Sequence, residues 1–312
     1  MNYRNALVTG GAGFIGSHIV DLLIEDGRNV IVYDNLSVGK LSNLSIHKQH
    51  DNLAIVKGDI LDFKKLKKAM KNIDIVFHNA AKVTIRNSVT NFIEDAQQNI
   101  IGTLNIIKAI NETNVKKVIY ASSMAVYGEK RSPCRETDTP NPISPYGISK
   151  LASEKYLLNA SKNFGFDSVI LRYFNTYGPR QAFTPYVGVI TIFVNRLLNG
   201  KSPIIFGNGS QIRDFIHVSD VANSNIIAMR KNITGEIFNI GTGKGTTVKE
   251  IATILRNKVN PKIELKHSSE RAGELKYSVA NISKAKKLLN YNPKWAIDEK
   301  IDEIIEVDKS PD

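Results

Sequence analysis

The segment Gly10-Gly11-Ala12-Gly13-Phe14-Ile15-Gly16 constrains this chain more than any other. It follows a short β-prone run, Asn5-Ala6-Leu7-Val8-Thr9. It opens a stretch in which Ile15, Ile19, Leu22 and Leu23 recur at helical spacing as far as Gly27. A second strand-like run, Val30-Ile31-Val32-Tyr33, then ends at Asp34, about 20 residues beyond the glycines. A glycine-rich turn alone is weak evidence. Between a strand and a helix, with an acid closing the next strand, it has the full context of a dinucleotide-binding βαβ unit. Gly10, Gly13 and Gly16, with Phe14 and Ile15 among them, let the backbone approach a pyrophosphate at the helix N-terminus. The carboxylate of Asp34, followed by Asn35, is expected to accept hydrogen bonds from the adenosine ribose and to repel a 2′-phosphate. That favours NAD over NADP.

The alternation continues along the chain. Leu53–Val56 reads as a strand leading to Gly58-Asp59-Ile60, and a basic helix follows from Phe63 to Met70. Ile73–Phe77 is apolar except for Asp74, as a strand buried on both faces requires, and His78-Asn79-Ala80-Ala81 follows it. A long helix is expected from about Asn91 to Asn111, with Ile93, Ile100, Leu104 and Ile107 as its apolar stripe. Val115–Tyr120 is another strand, ending in Ala121-Ser122-Ser123, and Val169–Tyr173 is a further one. This pattern predicts an α/β fold, a doubly wound parallel sheet whose ligand crevice lies at the carboxyl ends of the strands. After about residue 175 the elements shorten, punctuated by Pro179, Pro185, Gly207, Gly209, Gly241, Gly243 and Gly245. Helices are expected near Val189–Leu198, Val218–Arg230, Val248–Arg256 and Ile282–Leu289. We therefore expect a dinucleotide-binding domain over residues 1–174 and a smaller, mixed α/β substrate-binding portion over 175–312, with an interleaved boundary.

Within this frame stands Ser144-Pro145-Tyr146-Gly147-Ile148-Ser149-Lys150. Tyrosine and lysine four apart at the head of a helix lie one turn apart on one face. An isolated Tyr-x-x-x-Lys is more often a solvated helix face, and only its setting makes it chemical. A phenol has a pKa of about 10. Acting as a base near neutrality needs about 3 units, roughly 4 kcal/mol of preference for the phenolate. A lysine cation one turn away and a cationic cofactor can supply that.

Composition narrows the class. The 312 residues are 42% hydrophobic and 23% charged, ordinary for a soluble globular protein. The single cysteine, Cys134, permits no intrachain disulfide and fits a reducing cytoplasm. No apolar run is long enough to cross a bilayer, and the stretch after Arg4 reads as strand and turn rather than signal peptide. The six histidines lack metal-ligand spacing, so no metal is expected. The net charge of +12 invites a nucleic-acid partner. However, Lys64, Lys65, Lys67, Lys68 and Lys71 crowd one short helix, and Lys284, Lys286 and Lys287 another, without aromatic interleaving. These are solvated faces, and no nucleic acid is expected.

Taken together, the segments Gly10–Gly16, Asp34, Gly58-Asp59-Ile60, His78-Asn79-Ala80-Ala81, Ser122-Ser123, Tyr146/Lys150, Arg172-Tyr173-Phe174-Asn175 and Arg213-Asp214-Phe215-Ile216-His217-Val218 resemble those of the extended short-chain dehydrogenase/reductases. Within them the chain is most similar to the UDP-glucose 4-epimerases and related nucleotide-sugar 4-epimerases, over nearly its whole length. The resemblance implies an isomerase with tightly bound NAD. Tyr146 as phenolate would take the proton of the sugar 4-hydroxyl while hydride passes from C4 to the cofactor. Lys150 would bind the nicotinamide ribose and hold the phenol's pKa down, and Ser123 would bond the same sugar oxygen. The 4-keto intermediate would turn over before hydride returns to its other face. Asp59 and Ile60 match positions that hold adenine. Ala80, Ala81, Lys82, Asn99 and Tyr173 match cofactor-side positions, with Lys82 also close to substrate. Asn175, Arg213 and Arg271 match positions contacting the nucleotide diphosphate, for which guanidinium groups are well suited. Ser278 matches the wall facing the sugar's C2 substituent, where a small residue goes with acceptance of N-acetylhexosamines. The helices after Asn91 and Pro145 match those of a four-helix dimer interface, so a cytoplasmic homodimer is expected.

Four rivals share the scaffold. Sugar 4,6-dehydratases carry an acid pair, or at least Glu, directly after the hydroxyl residue, and Met124 and Ala125 here cannot move a proton. UDP-glucuronate decarboxylases usually have a Glu in the same segment. A UDP-glucuronate 4-epimerase stays open as an alternative substrate class. A non-catalytic NAD- or RNA-binding relative would typically have lost the Tyr146/Lys150 pair.

Overall fold

A computed structural model describes residues 3–83, 85–184, 188–271 and 273–307. Pro185, named above, lies outside them. The centre is a parallel sheet of seven strands. Its first six in chain order are β1 (Asn5–Thr9), β2 (Asn29–Asp34), β3 (Leu53–Lys57), β4 (Ile75–His78), β5 (Lys117–Ser123) and β6 (Asp167–Tyr173). The spatial order is β3-β2-β1-β4-β5-β6, and Glu236–Ile240 is added outside β6. The order reverses between β1 and β4, which opens a crevice at their carboxyl ends. In register, Thr9 sits beside both Tyr33 and His78, and Ser123 beside Tyr173. Asp34, Gly10, Asn79, Ser123 and Tyr173 therefore follow one another along a single edge.

The central strands β1 and β4 are almost wholly buried because helices cover both faces. Phe14–Glu25 and Val218–Arg230 pack on one face through Ile19, Val20, Leu23, Val221 and Ile226. On the other face lie Phe63–Ala69, Gly102–Asn111 and Pro145–Phe164, with Leu66, Ile106, Ile110 and Leu157 in the core. A third core joins Val189–Leu198, Val248–Val259 and Ile297–Val307.

Several expectations change in detail. β4 starts at Ile75 rather than Ile73, because the Asp74 carboxylate turns to accept from the backbone N–H groups of Arg4 and Asn5, both at 2.9 Å. β5 runs on through Ser123, carried by its pairing with β6. The helix expected from Asn91 to Asn111 is interrupted. Phe92–Ala96 passes into a π-helical turn, Gln97–Ile101, before Gly102–Asn111. The sheet's seventh strand and the Val218–Arg230 helix come from beyond residue 174. Ile297–Val307, not expected from the sequence, is an amphipathic helix of 11 residues. Among the described residues, no helix is long and apolar enough to cross a membrane.

Candidate active site

The glycine turn closes tightly on itself. Gly10 has φ +67°, and a Cβ there would lie 2.8 Å from the Ala80 backbone nitrogen. A Cβ on Gly16 would lie 2.1 Å from the Gly10 carbonyl oxygen. Only glycine fits either place. Gly13 caps the Phe14–Glu25 helix without any side-chain hydrogen bond, so that the first-turn N–H groups face the crevice. At the end of β2, Asp34 accepts from the N–H groups of Ala12 at 3.0 Å and Leu36 at 2.8 Å, which fixes its carboxylate beside the turn. Asn35 donates to Asp59 Oδ2 at 2.9 Å, and Asp59 Oδ1 accepts from Leu61 N, bringing the predicted ribose and adenine positions together. Ile60 is buried nearby.

Tyr146 and Lys150 stand on the first turns of Pro145–Phe164. The helix starts where Ser144 Oγ accepts from Gly147 N at 3.1 Å and Pro145 occupies the first turn. Both side chains are buried, and Lys150 Nζ is 5.9 Å from the centre of the Tyr146 ring. The ammonium donates to Ala121 O at 2.8 Å and lies over the Tyr120 ring at 4.8 Å. Burial pushes the Tyr146 phenol well above its ordinary value, a hydrogen bond with Ser123 pulls it down, and Asp95 pushes it up again. Burial also lowers Lys150 to about 8, while Asp95 and Glu154 oppose the fall. The protein by itself thus holds a neutral phenol. A phenolate needs further positive charge brought into the crevice. Ser123 Oγ accepts from Ala125 N at 3.2 Å, which orients it at the end of β5.

Asn99, in the π-helical turn, bonds both sides of the Lys82 backbone, donating to its carbonyl at 3.2 Å and accepting from its N–H at 2.9 Å. The Lys82 ammonium itself pairs with Glu94. Ala80 N donates to Thr9 Oγ1 at 3.2 Å, and Ala81 follows it on the same edge. Tyr173 is buried with its hydroxyl on Asn225 Oδ1 at 3.0 Å, so what it offers the crevice is its place beside Ser123.

On the opposite wall, Asn175, Arg213 and Ser278 are joined through Asp214. The Asp214 carbonyl accepts from both the N–H and the side-chain amide of Asn175, each at 3.1 Å, and Asp214 N donates to Ser278 O at 2.8 Å. Arg213 Nη2 donates to Leu275 O and stands 3.7 Å from Glu274. Arg271 lies farther along, its guanidinium 3.2 Å from the centre of the Phe206 ring. Ser278 is buried, and its hydroxyl reaches Met124 Sδ at 3.2 Å, one residue from Ser123.

Residues 6–241 match the NAD dependent epimerase/dehydratase family. The chain belongs to that family. A UDP-glucose 4-epimerase of Mycolicibacterium smegmatis is 36% identical over 304 residues, covering 96% of this chain and 97% of its own. The structure of a UDP-glucose 4-epimerase from Thermotoga maritima with UDP-glucose superposes at a TM-score of 0.92 and 40% identity, covering 97% of this chain and 98% of the other. That of a UDP-N-acetylglucosamine 4-epimerase from Methanobrevibacter ruminantium, in complex with UDP-N-acetylmuramic acid, does so at 0.93 and 40%, covering 98% of both.

As a member of the NAD-dependent epimerase/dehydratase family, this enzyme takes NAD as its cofactor, and its crevice fits it. Beside the glycine turn, both amide atoms of Asn79 are buried without a hydrogen-bond partner, as a site that a polar ligand completes would leave them. Among the described residues, no three His, Cys, Asp or Glu side chains cluster as metal ligands. Sequence reasoning missed two buried acids that the fold sets behind the pair, Asp95 and Glu154. Glu154 was legible in principle, four residues after Lys150 on the same helix face. Asp95 was not, since it lies on the five-residue helix Phe92–Ala96, too short to mark a periodic face, just before the π-helical turn.

Proposed function

We propose that this enzyme inverts C4 of UDP-hexoses, interconverting UDP-glucose with UDP-galactose and UDP-N-acetylglucosamine with UDP-N-acetylgalactosamine. The reading rests on one observation: Ser123, Tyr146 and Lys150 converge at the carboxyl edge of the sheet, beside the glycine turn, with Met124 and Ala125 where an eliminating enzyme needs an acid. Bound NAD supplies a hydride acceptor and a positive charge beside the phenol. Tyr146 takes the proton of the 4-hydroxyl, and Lys150 holds the phenolate by its charge. Ser123 keeps the same oxygen in line. Arg213, Arg271 and Asn175 hold the diphosphate from the opposite wall, leaving the sugar free to present either face.

Ser278 sets the width of the sugar site. Successive strand residues face opposite ways, so with Ser278 turned to Met124, its neighbour Tyr277 turns away. A hydroxymethyl wall leaves room for an acetamido group. The kinship to enzymes named for both UDP-glucose and UDP-N-acetylglucosamine supports this width.

The homodimer and the cytoplasm belong to the same proposal. Ile93 and Ile101 on one helical run, and Ile148 and Tyr156 on the next, are large apolar side chains left exposed, as a four-helix interface requires. Light scattering of the purified enzyme checks the dimer. The deciding experiment incubates the enzyme with UDP-glucose, UDP-N-acetylglucosamine and UDP-glucuronate and follows C4 by NMR. Inversion of the first two without added NAD is expected. Inversion of UDP-glucuronate alone, or stoichiometric NADH, overturns the reading.

A further inference from the structure

Glu154 stands one turn beyond Lys150, as Lys150 stands one turn beyond Tyr146, so three ionisable side chains share one buried stripe of Pro145–Phe164. The chemistry described so far uses only two of them. Glu154 is fully buried, and Arg172 of β6 is 2% exposed. Arg172 Nε donates to Glu154 Oε1 at 2.8 Å, and Nη2 donates to Oε2 at 2.6 Å. Ser122, the residue before Ser123, donates its hydroxyl to the same Oε1 at 2.5 Å. The guanidinium lies 4.8 Å from the centre of the Tyr127 ring, and the Tyr127 hydroxyl is tied to Asn239 Oδ1 at 2.7 Å.

Stability does not explain this arrangement. Taking two charges out of water is costly, and apolar side chains of similar volume in their place are often as stable or more so. What the pair has that apolar side chains lack is direction. A two-pronged bond between guanidinium and carboxylate fixes orientation as well as distance. Here it locks the catalytic helix against β6, while Ser122 locks the same carboxylate against β5. Helix rotation and height relative to Ser123 are then set at once.

Charge points the same way. Lys150 is faced by Asp95 from the Phe92–Ala96 helix, by the Tyr120 ring of β5, by Tyr146 and Glu154 on its own helix, and by His78 of β4. Of the charged groups among these, the two carboxylates favour its ammonium. Arg172 neutralises Glu154 from the far side, and the carboxylate stands between the two cations.

We propose that the Glu154–Arg172 pair is a positioning device: it fixes Tyr146 and Lys150 against Ser123 and keeps the Lys150 ammonium charged. The pair touches neither sugar nor cofactor. The inference rests on the epimerase reading for its kinetic arm only.

The test uses the NAD-loaded enzyme and two variants. In Glu154→Gln the carboxylate is lost and Arg172 left unpaired. The Cε NMR resonance of isotope-labelled Lys150, assigned by its loss in Lys150→Met, should titrate about one unit lower than in wild type. Turnover should fall about tenfold with the KM for UDP-sugar unchanged, and the alkaline limb of the turnover profile should move to lower pH. In the apolar double variant Glu154→Leu/Arg172→Met, the melting temperature should equal or exceed that of wild type while turnover remains about tenfold down. An unmoved lysine titration in Glu154→Gln, or full turnover in the double variant, overturns the inference. A wild type that inverts no UDP-sugar while the lysine titration moves as expected overturns the epimerase reading and leaves the charge-holding role supported.

Discussion

On the cofactor side the crevice is walled by backbone. Gly10 and Gly16 leave no room for even one carbon, and the strands that present the wall, β1, β2, β4 and β5, have four to seven residues and are mostly buried. On the substrate side the wall is side chains: Asn175, Arg213 and Ser278 ride on strands of two or three residues, Asn175–Tyr177, Ile212–Arg213 and Tyr277–Ser278. Those strands hold together through the buried Asp214, whose carboxylate accepts from Thr242, Gly243 and Ala280. A backbone wall has one shape for one ligand. A side-chain wall can be changed one residue at a time without disturbing the sheet behind it. On the proposed function, the chemistry belongs to the first side and the choice of sugar to the second.

Tyr146→Phe is the hardest blow to that division. It should leave bound NAD and UDP-sugar affinity nearly intact but lower turnover by about 10²–10⁴, the usual share of a general acid–base group. The loss should be the same for every sugar accepted. A loss that differs between UDP-glucose and UDP-N-acetylglucosamine would put Tyr146 in substrate choice as well. Ser278→Tyr is the converse. It should abolish turnover of UDP-N-acetylglucosamine by at least about a hundredfold and leave UDP-glucose within a few-fold, because a missing small group is worth only about 1–3 kcal/mol whereas a clash with a wall is not forgiven. Should the variant still invert the acetylated sugar, the wall lies elsewhere.

The same contrast explains what could be read from the chain beforehand. Continuous apolar runs such as Ile75-Val76-Phe77, and a glycine turn between strand and helix, are marked in the local sequence, so the sheet and its crevice were legible. The pair Tyr146/Lys150 was legible because a helix turn relates the two locally. Strands of two residues carry no periodicity, and Ile212–Arg213 is a strand only because Thr246–Thr247 and Tyr277–Ser278, far away in sequence, flank it. The strand Glu236–Ile240 joins the main sheet from outside the segment that supplies its other six strands, a pairing that local sequence does not mark. Glu154 and Arg172 meet only in three dimensions, 18 residues apart.

If the cofactor side is built for chemistry, its charged groups should weaken the fold there. Lys150 is fully buried and lowered to about 8 from 10.5. Below pH 8 it is protonated both folded and unfolded, so the cost of burying its charge is fully present. Between 8 and 10.5 the folded state alone has shed the proton, and the cost fades as pH rises. NAD-free Lys150→Met should therefore be more stable than NAD-free wild type at pH 7, by at most about 3 kcal/mol and less for the lost bond to Ala121, while its activity is gone. Denaturant unfolding at pH 7 and pH 10 measures this. An advantage that does not shrink at the higher pH would assign it to packing rather than charge.

The smallest effect expected comes from His78, at the centre of the same side. Its ring sits between Thr9 Oγ1 at 2.8 Å and Thr103 Oγ1 at 3.1 Å, and so joins β4 to β1 and to the Gly102–Asn111 helix. Burial, helped by Lys150, lowers it to about 3 from 6.5. Above 6.5 it is neutral whether folded or not and imposes no pH dependence. As pH falls below 6.5, the unfolded chain gains a proton that the folded one refuses, and stability is lost progressively down to pH 3. At pH 5 the one side chain should cost about 2 kcal/mol relative to pH 8. His78→Gln loses hydrogen bonds at every pH and will be less stable throughout, so the informative quantity is the change between the two pH values. Wild type should lose about 2 kcal/mol more than the variant over that interval, and hydrogen exchange should rise first in β1, β4 and the Gly102–Asn111 helix. Equal losses in the two proteins, or exchange beginning in the short strands around Arg213, would place the acid-sensitive group on the substrate side and break the division between the two walls.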